Sequence, residues 1–131
     1  MLITLDHHSG VPIYRQMMDQ IKLLVASGLL KPGDELPSTR ALSARLGLNP
    51  MTVSKAYSLL EMEGLVERRR GLPLTVKALK DDEIQSGKID QLRQGLSSSA
   101  ALVHRLGIDK AQALEVFRQL LESLEARRKG D

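Results

Sequence analysis

Two helical patterns in the middle of this chain are separated by almost nothing. Ser38 can cap a short helix whose inward positions are Leu42 and Leu46, and that helix ends near Leu46-Gly47. Asn49 follows only two residues later and can cap another, with Pro50 at its first position, where a missing N–H costs nothing. In this second helix Val53, Ala56, Tyr57 and Leu60 recur on one face, and Gly64 is placed to end it. Two short helices joined through a glycine-containing turn make a helix-turn-helix.

What flanks the pair sharpens the reading. Upstream, Pro12 opens a helix in which Ile13, Met17, Ile21, Leu24 and Val25 repeat at helical spacing, with Gly28 as a left-handed stop. The segment from Lys31 to Pro37 is dense in Pro, Gly and Asp and reads as a loop. Downstream, Leu65-Val66-Glu67-Arg68 is a short strand, Arg69 to Pro73 a basic turn, and Leu74-Thr75-Val76 a return strand. A helix-turn-helix followed by a hairpin is a winged helix. The expected fold is therefore mainly α with a small β-hairpin.

After Val76 the character changes. Lys77 to Glu83 is polar, a linker or a helix entry. Ile89, Leu92, Leu96, Ser99, Val103 and Leu106 then alternate at spacings of three and four, a heptad-like seam that reads as one long helix with Ser97-Ser98-Ser99 as a candidate break. Asp109 with Gln112 has the pattern of a capping box for a last helix. Its apolar face is Ala113, Leu114, Phe117, Leu120, Leu121 and Leu124, and Arg127, Arg128 and Lys129 sit where the helix dipole favours cations. More apolar positions stand here than a small domain needs. A symmetric dimer would bury them, so Ile89, Leu92, Leu96, Val103, Leu106, Leu114, Phe117, Leu120, Leu121 and Leu124 are the candidate dimerisation residues.

Composition removes several function classes. There is no Cys, hence no disulfide framework and no Cys-based metal site. Aromatics are limited to Tyr14, Tyr57 and Phe117, too few to stack the bases of a single strand. The core must be aliphatic. No apolar run approaches a membrane span and no secretory segment opens the chain, so no membrane role and a cytoplasmic location are expected. His7, His8 and His104 lack a metal-ligand pattern and read as solvent-exposed bystanders. Ser38 has no His nearby, no carboxylate pair has a catalytic setting, and no glycine loop cradles phosphate. Neither an enzyme nor a cofactor is expected.

Charge is informative once divided. Residues 1–78 carry ten Lys and Arg against seven Asp and Glu, whereas residues 79–131 are balanced at nine each. The whole excess of +3 lies in the first part. Thr52, Ser54, Lys55 and Ser58 lie opposite the apolar face of the second short helix, where a winged helix meets the major groove. Arg68, Arg69 and Arg70 on the wing suit phosphate and minor-groove contact, although strand alternation would keep all three from facing DNA together. The competing reading is a winged helix that serves as a protein-interaction module or scaffold and never touches DNA.

Three ordered motifs make the pattern recognisable: Gly33-Asp34-Glu35-Leu36-Pro37-Ser38, Asn49-Pro50-Met51-Thr52-Val53-Ser54-Lys55-Ala56-Tyr57, and Glu63-Gly64-Leu65-Val66-Glu67-Arg68-Arg69. Over residues 11–77 the chain closely resembles the winged-helix domain of the GntR family of bacterial transcription regulators. The second motif and a tail of about fifty residues look most like the YtrA subfamily, whose members resemble this chain in dimerising through two C-terminal helices. The resemblance implies that Arg40 reaches the DNA backbone or groove, that Thr52 contacts phosphate, and that Gly71 lets the wing backbone approach the minor groove. Ser38 and Asn49, which open the two helices, complete the candidate contacts. Pro50 and Ser54 stand where relatives often carry Arg, Pro73 replaces the second wing Gly, and Ala41 replaces a frequent Glu. The expected protein has a DNA-binding domain at 1–78 and a helical dimerisation domain at 79–131. Its expected partners are a double-stranded promoter operator, occupied as a repressor, and a second copy of the chain. No residue set marks an effector pocket.

Overall fold

The computed structural model describes residues 1–130. Helices α1 (Ile13–Ala26), α2 (Thr39–Leu46) and α3 (Pro50–Met62) come first. Strands β1 (Val66–Glu67) and β2 (Thr75–Val76) follow, then helices α4 (Asp81–Leu106) and α5 (Lys110–Gly130). The chain divides into two compact units, Met1–Leu92 and Arg93–Asp131.

In the first unit α3 is the central element, with α1, α2 and β1 packed on it. Its face of Val53, Ala56, Tyr57 and Leu60 is buried against Met17, Met18 and Ile21 of α1 and Leu42 of α2. Val66, Leu74 and Val76 close the core from the hairpin. Apart from the Tyr57 ring, this core is aliphatic, as the composition requires. Each of its larger side chains contributes about 1.5–3 kcal/mol by leaving water.

The tight connection between α2 and α3 is held by local bonds that the sequence announces. Ser38 Oγ accepts from the Ala41 N–H at 3.0 Å, and Asn49 Oδ1 accepts from the Met51 N–H at 2.9 Å. Gly47 ends α2 with φ +67°, a left-handed conformation in which a side chain would be strained. The Leu48 N–H then turns back to the Ser43 carbonyl at 2.9 Å. Tyr57, only 3% exposed, completes the assembly by donating its Oη hydrogen bond to the Pro37 carbonyl at 2.8 Å. One phenol thus fixes α3 to the start of α2.

Three features differ from the sequence expectation. Residues 33–36 are more than a loop: the Gly33 N–H donates to the Val76 carbonyl, Val76 returns a bond to Asp34, and Leu36 N–H donates to Leu74. Buried Leu36 draws this segment onto the hairpin edge despite its Pro and Gly content. The strand expected over residues 65–68 is only Val66–Glu67, in register with Thr75–Val76. The N-terminal residues, unremarkable as sequence, are anchored as well. Ile3 is buried, the Thr4 N–H donates to Gln20 Oε1 at 2.8 Å, and Arg45 Nη2 donates to the Met1 carbonyl at 2.7 Å.

Helix α4 opens with Asp81, Asp82 and Glu83, the charge its N-terminal dipole favours, and Glu83 Oε1 accepts from the Lys80 N–H. It runs as one helix without interruption through Ser97-Ser98-Ser99, the candidate break. Serine costs only about 0.5 kcal/mol per residue relative to Ala in a helix, too little to stop one that continues into Ala100-Ala101-Leu102. In α5, Arg118 pairs with Glu115 and Glu122 on neighbouring turns, which holds the Glu115 carboxyl below its usual range. Neither α4 nor α5 contains a buried residue among those described.

Burial pushes the Tyr57 phenol up from 10.0 to about 12, with Arg45 opposing weakly. Between those values the folded state holds a proton that the unfolded state has released. The stability linked to Tyr57 is therefore whole below pH 10 and is lost as pH rises towards 12. Phenolate absorbance should show one tyrosine ionising near pH 12, absent in Tyr57→Phe. Denaturant unfolding at pH 7 should find that variant destabilised by about 1 kcal/mol.

Candidate nucleic-acid interface

Because one side of α3 is committed to the core, its other side is committed to solvent. Met51, Ser54, Lys55 and Ser58 are exposed at positions i, i+3, i+4 and i+7 and so share one stripe. Thr52 is half-buried at its edge. The stripe carries one charge and no carboxylate. Its charge is also placed: the Lys55 ammonium lies over the Tyr14 ring of α1, 4.0 Å from the centroid. A cation–π contact of this kind at an exposed site contributes about 0.5–1 kcal/mol. Arg15 approaches the same ring at 5.8 Å.

The remaining candidates fall into two groups. Ser38, Arg40 and Asn49 are exposed around the start of α2 and the start of α3. Ser38 and Asn49 spend a side-chain oxygen on capping, which leaves the serine hydroxyl hydrogen and the asparagine amide as donors. Arg68, Arg69, Arg70 and Gly71 are exposed in the loop between the strands. Since β1 ends at Glu67, strand alternation does not govern these arginines, and the expected alternate facing is replaced by loop geometry. The Leu72 N–H donates to the Arg69 carbonyl, and Gly71 takes φ +74° within that turn, a position that favours glycine. Arg69 also meets Glu67 at 3.4 Å, an exposed pair that water screens. Leu72 is exposed at the tip.

Two members of this surface were missed in the sequence. Met51 is apolar by type and gives no polar signal, although its place in the register puts it on the stripe. For Tyr14, nothing local in the sequence signals that α1 carries its ring to Lys55. Among the described residues no group of His, Asp or Glu could hold a metal ion, and no helix is long and apolar enough to cross a membrane.

Comparison with known proteins agrees with this geometry. Residues 13–76 match the family described as "Bacterial regulatory proteins, gntR family". The HTH-type transcriptional repressor YtrA of Bacillus subtilis is 33% identical over 130 residues, covering 99% of this chain and 100% of that protein. Among solved structures, a GntR family transcriptional regulator from Listeria monocytogenes is similar with a TM-score of 0.73 and 26% identity, over 88% of this chain and 98% of that one. YtrA from Sulfolobus acidocaldarius, a GntR-family transcription factor, is similar with a TM-score of 0.57 and 34% identity, over 94% of this chain and 99% of that one. With its winged helix-turn-helix and this similarity over nearly its full length, the chain belongs to the GntR family and is a DNA-binding transcription regulator rather than an enzyme.

Proposed function

We propose that this regulator is a repressor that binds a palindromic promoter operator as a homodimer. Residues 1–78 would form the reading domain and residues 79–131 the dimerisation domain. The exposed stripe of α3 supports base reading, since recognition helices present their N-terminal residues to the major groove. Thr52, Ser54, Lys55 and Ser58 supply hydrogen-bonding groups there. Ser38, Arg40 and Asn49 hold the backbone beside it, and Arg68, Arg69, Arg70 and Gly71 clamp phosphate and the minor groove from the wing. Repression follows from occupancy, which denies the promoter to RNA polymerase. The name of the Bacillus relative, a repressor, supports the same direction of regulation.

The observation that carries dimerisation is the state of the last two helices. Ile89, Leu92, Leu106, Leu114, Leu120, Leu121 and Leu124 are exposed, with Leu114 at 60%, and Leu96, Val103 and Phe117 are only partly covered. An apolar surface of this extent is costly in water. A second copy presents the same surface and satisfies it by symmetry, spacing two reading domains for two half-sites about one helical turn apart.

Titration of the full chain against its own promoter fragment, with random duplex as competitor and across a salt series, tests the reading. Two chains per competitor-resistant site are expected, and a loss of all preference over random DNA would overturn it. Lys55→Ala should relax discrimination at one position, costing about 1–3 kcal/mol, while Arg69→Ala should weaken all duplexes alike and lower the salt slope by about one. In light scattering the protein should have twice its chain mass. Leu120→Glu with Leu124→Glu should give monomers that still fold but lose affinity for the full site far more than for a half-site.

A further inference from the structure

Met51 is 77% exposed, and its place is what distinguishes it from an ordinary surface methionine. It heads the stripe that continues through Ser54, Lys55 and Ser58, in the first turn of α3, where a recognition helix comes closest to base edges. Its backbone is fixed, because the Met51 N–H is bonded to the Asn49 side chain. The nearest cation on the stripe is stacked on Tyr14. The leading position of the reading face therefore presents a thioether and a methyl, groups with no strong hydrogen-bonding capacity. In the major groove only one base edge offers an apolar partner, the C5 methyl of thymine.

We propose that Met51 is a specificity-determining residue that reads a thymine methyl in each half-site. The inference rests on the reading of α3 as the base-contacting helix. Burying one methyl between the Met51 side chain and the groove should favour thymine over uracil by about four-fold, since the two bases differ in nothing else. Polar neighbours do not substitute for it. Ser54 and Ser58 hydrogen-bond equally well to uracil and thymine, which share the same O4 acceptor.

The experiment begins with duplexes selected from a randomised library by the full chain, followed by replacement of each dT with dU, one at a time. Wild type should lose about four-fold at one thymine per half-site. Met51→Ala should bind the thymine duplex as weakly as the uracil duplex and be indifferent to the change. Met51→Leu should keep the sensitivity, and circular dichroism should show both variants folded, because the side chain lies outside the core. The inference is overturned if no uracil substitution matters, if the selected half-sites lack thymine, or if Met51→Ala keeps the same sensitivity. Failure to select any specific duplex is a different outcome, since it removes the base-reading role of α3 and this inference with it.

Discussion

Burial of Val53, Ala56, Tyr57 and Leu60 on one side of a thirteen-residue helix is the constraint from which the rest of the first unit follows. Helix α1 supplies Met17, Met18 and Ile21 to that face, α2 supplies Leu42, and the hairpin supplies Val66 and Val76. Because α-helical periodicity leaves no freedom once one face is taken, the same burial decides which residues look outward. The reading surface is therefore a by-product of core packing. The caps at Ser38 and Asn49, the Tyr57 bond to Pro37 and the Lys22–Glu63 ion pair hold the helix in that orientation.

Local signals explain how much of this could be read from the chain. The α2–α3 turn was legible because its parts are strongly specified: two side-chain caps, a left-handed glycine and a proline at a first helical position. The hairpin was legible in kind through Val66, Val76 and the turn glycine, but not in extent. Strand ends depend on which backbone groups find partners, and here the segment around Asp34 takes bonds from β2. The family motifs carried the rest, and they carry roles more readily than positions.

What stayed hidden is long-range. Nothing near Tyr14 in sequence indicates that its ring supports Lys55, because the two residues meet only when α1 packs on α3. The anchoring of the N-terminus by Gln20 and Arg45 is hidden for the same reason. The serine triplet in α4 left a continuous helix and a break both open, since residues that favour helix ends in isolation are tolerated inside a long helix. For the candidate contacts, exposure separates reading groups from core groups but cannot be seen in composition. Met51 is the example: apolar by type, yet outward by register.

The stacking of Lys55 on Tyr14 has a further consequence for how a cation can be stored on a protein surface. A carboxylate partner would restrain the ammonium but cancel its charge, so that an approaching polyanion would first have to break an ion pair. An aromatic face restrains it through a quadrupole and leaves the full charge in place. The side chain surrenders part of its rotational freedom before any encounter, while the field it projects is undiminished. A tyrosine in this position therefore lets a flexible lysine behave more like a fixed charge.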